Sequence, residues 1–146
     1  MNFARVAASA LAAWIVSIPV GFVVNDVLLK DVYAANVAAM RPEPAMMASL
    51  PLGFAATLVG FFVFAYMYAK GYEGTSGAME GLRFGVLVAL LLCGFAVVWQ
   101  YVVYPINGTM ASVMIVDTIV EMALYGAIVG TIYKPAPKRA YNVAAV

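Results

Sequence analysis

No histidine occurs anywhere in the 146 residues. Histidine ligation of haem, zinc, copper or a chlorophyll-like pigment is therefore excluded, and so is the commonest general base. There is one cysteine, Cys93, set in an apolar run. A disulfide within the chain is impossible, and a cysteine-ligated iron–sulfur cluster would need several more thiols. Cys93 reads as a small hydrophobe in a helix. Charge is also scarce: 10% of residues are charged, and the net charge is +1. Soluble domains carry about 25%. The near-neutral balance gives no footing for nucleic acid. No set of residues suits a metal or cofactor, so none is expected.

What remains is apolar. Hydrophobic residues make up 66% of the chain, gathered into four runs of about the 20 residues that a spanning helix needs. They cover roughly residues 6–29, 45–69, 84–104 and 110–133. None alternates as a barrel strand would, and a bilayer accepts only helices or closed barrels. The fold class expected is an all-α integral membrane protein, with four transmembrane helices in one up-down bundle forming a single domain over residues 1–146. The first run exceeds the roughly 7–15 apolar residues of a signal-peptide core and is read as a span.

Lysine and arginine set the orientation. Placing both termini inside puts Arg5, Lys70, Arg83, Lys134, Lys138 and Arg139 on the cytoplasmic side and leaves only Lys30 and Arg41 outside. N-in, C-in is the expected topology, in a bacterial inner membrane. Trp99, Tyr101 and Tyr104 would mark the outer interface, and Tyr66, Tyr68, Tyr72 and Tyr133 the inner one.

The external loop, 30–44, shows apolar residues at helical spacing from Leu29 to Met40, which predicts an amphipathic helix lying over the spans. Pro42 and Pro44 would end it. The inner loop, Lys70 to Gly77, is glycine-rich but lacks the Gly-Lys-Ser/Thr ending of a phosphate-binding loop. It reads as a turn in which Thr75 or Ser76 caps the third span and Glu80 favours its positive end. Asn107-Gly108-Thr109 fits a glycosylation pattern by chance, in a turn too short and too close to the membrane for a transferase.

Small residues carry the packing signal. Gly77, Gly81 and Gly85 recur every fourth position in the third span, and Gly126 and Gly130 do so in the fourth. Such spacing lets helices approach closely, so spans three and four are expected to pair antiparallel, unless the glycines form a dimer interface. A faint repeat accompanies this. Gly21-Phe22-Val23-Val24 resembles Gly94-Phe95-Ala96-Val97, and Met47-Ala48-Ser49 matches Met110-Ala111-Ser112. The pattern suggests a parallel duplication of a two-helix unit.

The fourth span also carries two carboxylic acids, Asp117 and Glu121, four residues apart and so on one helix face. Counting from Thr109, they lie about 12 and 18 Å below the outer edge. An acid at such depth costs roughly 2.5 kcal/mol or more to insert. No lysine or arginine of the chain reaches that level, and Arg83 would snorkel to the inner edge. Two acids a turn apart in a low dielectric do not both ionise, so at least Glu121 is expected to keep its proton at neutral pH and to donate a hydrogen bond. Tyr125 extends the acidic face and Thr118 flanks it. Trp14 is a neutral partner at comparable depth, as are Ser17 and Thr57, and Gln100 is shallower and closer to Asp117. Asp117, Glu121, Tyr125, Thr118, Gln100 and Trp14 form the predicted intramembrane polar cluster. Three roles are open to it: hydrogen bonding within the chain, contact with another subunit, or a path for protons or cations. Stacked acids on one buried face do not suit glycosidase or aspartyl-protease chemistry, and no catalytic residue is expected.

The stretch Lys70-Gly71-Tyr72-Glu73-Gly74, then Met79-Glu80-Gly81-Leu82-Arg83-Phe84-Gly85, then Tyr104-Pro105, Glu121, Gly126 and Gly130 resembles small four-span bacterial inner-membrane proteins of unknown function. The resemblance covers the C-terminal half. It implies a compact four-helix unit and brings no activity with it. The function expected from the residues is that of a non-catalytic membrane protein working through helix contacts. It would be an accessory or assembly subunit of a larger membrane complex, or a self-associating one. The alternative is a small proton- or cation-coupled transporter using Asp117 and Glu121. The lipid bilayer and other membrane subunits are the expected partners.

Overall fold

A computed structural model of the protein describes residues 1–133; the basic tail that enters the topology argument (Lys134, Lys138 and Arg139) lies outside the described residues. Among these residues the chain is helical, with no strand. Helix α1, Phe3–Phe22, continues through a π-helical stretch, Val23–Leu28. The short α2, Lys30–Ala34, follows, then α3, Glu43–Lys70. Helix α4, Gly77–Leu92, passes through a second π-helical stretch, Cys93–Val97, into α5, Val98–Val103. Helix α6 is Gly108–Ile132. Four of these stretches, Phe3–Leu28, Glu43–Lys70, Gly77–Val103 and Gly108–Ile132, are long and apolar enough to cross a membrane. They are spans one to four below.

Two boundaries differ from expectation for local reasons. The third span starts at Gly77, because Glu80 folds back and organises the turn before it. Its carboxylate accepts from the Glu73 amide at 2.7 Å, the Thr75 amide at 2.9 Å and the Thr75 hydroxyl at 2.9 Å. Ser76 occupies the cap position, but its side chain makes no capping bond. The expected hydroxyl cap is thus replaced by an acid, which is only 9% exposed. The second difference is in the loop between spans one and two. The predicted amphipathic helix breaks at Leu29 (φ −105°, ψ 8°) into α2 and a 3-10 turn, Val37–Ala39. The buried Asn36 then ties this loop to the turn between spans three and four, accepting from the Asn107 amide at 2.9 Å. The Asn107 side chain is itself engaged as the cap of α6, accepting from the Met110 amide at 2.8 Å.

Spans three and four are joined by the closest packing in the molecule. A Cβ at Gly81 would meet the Gly126 carbonyl carbon at 2.8 Å, and one at Gly130 would meet Gly77 at 2.9 Å. Gly85 lies against Met122 and Ala123 in the same antiparallel register. The glycines serve contact within the chain, where backbone touches backbone and dispersion replaces the hydrophobic effect. Toward the C-terminal end of span three the seam continues through buried Ala89, Cys93 and Val97. These positions repeat every four residues, so in an α-helix each step overshoots a turn by about 40°. The π-helical stretch has a wider turn, which four residues underfill. It reverses the drift over Cys93–Val97.

Span one packs on spans two and four. The core between them is gathered at the end that carries the N-terminus: Val6, Ala10, Ala13, Phe61, Phe64, Ala65, Tyr68, Tyr125, Val129 and Tyr133. Tyr68 and Tyr133 are 2% and 3% exposed, so they fill this core. Their rings meet edge to face, with centroids 5.9 Å apart, a geometry worth about 1 kcal/mol beyond area burial. The opposite end is looser. Between Glu43 and Gly60 only Ser49 and Leu58 of span two are even partly covered.

Candidate functional site

The fourth span presents two neighbouring stripes, each with a four-residue step. One, through Met122, Gly126 and Gly130, faces span three. The other contains Asp117, Glu121, Tyr125, Val129 and Tyr133, and its last three members lie in the core. The acids therefore sit on the continuation of a core face, at the level where close packing gives way to the open end. Both are half-buried.

Tyr125 is 2% exposed. Its ring stands edge-on to Phe61 at 5.1 Å, and its hydroxyl is the polar group that approaches Glu121. Thr118 turns its hydroxyl to the Met114 carbonyl of its own helix, at 2.7 Å. Trp14 donates to the Phe54 carbonyl of span two at 3.2 Å, so its N–H is spent on linking spans one and two. Gln100 lines a cleft of about 300 Å³ with Tyr33, Met40, Tyr104, Met110 and Met114, between the first loop and the start of span four. The predicted cluster is thus divided: Asp117, Glu121 and Tyr125 share a face, while Trp14 joins a different contact and Gln100 a different cavity wall.

Two further polar residues belong to this region. The Tyr33 hydroxyl donates to Asn25 Oδ1 at 2.6 Å, and the Asn25 amide donates to the Gly21 carbonyl at 2.8 Å. Asn25 lies in the first π-helical stretch, and such stretches often occur at functional sites. The phenol is held above its ordinary value of 10.0 by burial first, and then by the carboxylates of Asp117, Glu121 and Asp26. The Tyr33–Asn25 bond therefore bridges the loop after span one to the π-helical stretch that ends that span. An asparagine near the end of a span was the available signal, but nothing in spacing alone linked it to Tyr33.

A consequence follows for alkaline stability. Because the folded-state value is raised, the phenol's stabilising contribution is complete below pH 10 and fades as pH climbs through the folded value. Tyr33→Phe removes the bond to Asn25 and is expected to cost about 1 kcal/mol at neutral pH. It should also flatten the fall in stability above pH 10. Thermal melts in detergent across pH 7–11 measure both, and superimposable curves for the two proteins would refute the bridge.

Among the described residues, no group of three or more cysteine, aspartate and glutamate side chains is placed to hold a metal ion. Compared with protein-family models, curated proteins and solved structures, the chain matches none.

Proposed function

We propose that this protein is a small non-catalytic subunit of a larger assembly in a bacterial inner membrane, built as an up-down four-helix bundle with both termini in the cytoplasm. One observation carries the reading. The acid pair is half-buried on span four, while the neighbouring end of span two is left uncovered by the rest of the chain. No basic residue of this chain lies within Gly108–Ile132. A partner helix filling the open end can supply the donors or the cation that a carboxylic acid in hydrocarbon requires. The glycine seams are already used internally, so association rests on this polar face and not on them.

Size determination by light scattering in mild detergent tests the reading. The wild-type chain is expected in a complex of defined composition, with a fixed partner or with copies of itself. Asp117→Asn with Glu121→Ala is expected to dissociate it. A monodisperse wild-type monomer would end the proposal.

The second reading, a proton- or cation-coupled transporter, is favoured by the cleft whose wall reaches Met114, three residues before Asp117 on the same helix. Here Glu121→Gln is expected to abolish a proton-coupled flux in liposomes. A wild-type protein with no such flux would dispose of it.

A further inference from the structure

We infer that the cleft between the first loop and the start of span four is a binding site for a soft monovalent cation, Cu(I), held by the thioethers of Met40, Met110 and Met114. The inference stands apart from the subunit reading and does not need it. Three of the eight residues lining the cleft are methionine, in a chain where methionine is nine of 146. They arrive from separate places. Met40 follows the 3-10 turn of the loop between spans one and two, whereas Met110 and Met114 stand on successive turns of α6. The cleft is held together from outside itself. Asn36 pins the loop to the Asn107 amide, and Asn107 caps α6 three residues before Met110. The loop that carries Met40 is thereby kept against the start of the helix that bears Met110 and Met114.

The donor set selects the ion. Thioether sulfur is a neutral, soft ligand that suits Cu(I) and gives little to zinc, magnesium or calcium. With no histidine in the chain, the imidazole that Cu(II) and zinc favour is missing. Cys93 is buried against the Ile115 carbonyl, with Sγ at 3.9 Å, and is not among the cleft-lining residues. The remaining polar wall, Gln100, Tyr33 and Tyr104, carries no formal charge. A monovalent ion with neutral sulfur ligands also suits a cavity at the membrane edge, where each further charge is penalised. Asp117 lies three residues beyond Met114, one turn deeper on the same helix, so an ion leaving the sulfurs would next meet a carboxylate.

Methionine also fills apolar gaps by virtue of its flexibility, and the experiment separates that role from ligation. The full-length protein, purified in detergent and kept anaerobic with reductant, is titrated against the coloured Cu(I)–bicinchoninate complex. The expected result is withdrawal of one Cu(I) per chain, retained in Cys93→Ala and in the paired Met46→Leu, Met47→Leu variant, whose methionines lie outside the cleft. Met110→Leu with Met114→Leu conserves volume and apolarity. It is expected to weaken binding by more than about 100-fold, beyond what a merely supporting residue contributes. If that double variant fails to fold, Met40→Leu alters the loop alone and must still weaken binding. The proposal is overturned if the wild type removes no Cu(I) from the indicator. It is equally overturned if the cleft variants bind as well as the wild type, or if Cys93→Ala abolishes binding.

Discussion

Gly126→Ala is expected to lower the stability of the protein by about 3 kcal/mol or more, the upper range for forcing extra volume into a packed contact. The added methyl would stand 3.0 Å from the Gly81 carbonyl carbon and 3.0 Å from the Gly85 Cα. Both neighbours are backbone, so no rotamer change relieves the clash, and spans three and four must move apart along the seam. The same substitution elsewhere has the opposite sign. At Gly60 and Gly53 a Cβ meets nothing within 4 Å, and alanine there gains up to about 1 kcal/mol of helix propensity. Melting temperatures of the two sets in one detergent decide the matter. Equal shifts for Gly126→Ala and Gly60→Ala would mean that the seam is not what holds the two spans.

The second large effect is expected at Glu80. Its carboxylate gathers the Glu73 amide, the Thr75 amide and the Thr75 hydroxyl into one centre. Glu80→Ala removes the acceptor of all three. Hydrogen bonds to a charged group are worth roughly 1.5–3 kcal/mol when buried. Because Glu73 and Thr75 are themselves exposed, water recovers part of this loss, and a fall of about 2 kcal/mol is expected. The released turn between Gly71 and Ser76 should also become cleavable by protease. Glu80→Gln keeps one carbonyl oxygen and is expected to fall between wild type and alanine. If Glu80→Ala melts and resists cleavage like the wild type, the acid does not organise the turn.

Much of the helical layout was legible because the signals are local. Twenty apolar residues in a row specify a span, and glycine every fourth residue specifies a face that another backbone can touch. The Gly77–Gly130 and Gly81–Gly126 contacts follow directly from that spacing once the turn at Pro105 makes the two helices antiparallel. Features that depended on a competing partner were not legible. Thr75 and Ser76 are good caps by residue type, but an acid four residues beyond Ser76 took the loop amides instead. Tyr68 and Tyr133 have the composition of interface anchors, and only the meeting of spans two, three and four at one end turns them inward. Trp14 lies at the right depth to serve the acids, yet depth does not fix azimuth, and its indole turns to Phe54. The repeat of Gly21-Phe22-Val23-Val24 in Gly94-Phe95-Ala96-Val97 gave no hint of π geometry, although both copies overlap such a stretch. Hydropathy carries no record of whether a turn closes over four residues or five.

The one-ended core has a mechanical consequence for the second span. Its C-terminal part is clamped through Phe61, Phe64, Ala65 and Tyr68, and the segment from Glu43 to Gly60 extends beyond that clamp as a cantilever about 27 Å long. Tilting this lever by about 10° at the clamp would swing its tip by roughly 5 Å. The Trp14 indole, gripping the Phe54 carbonyl, is a tether partway along the arm. Such a tilt would leave span four, which is fixed by its glycine seam to span three, in place.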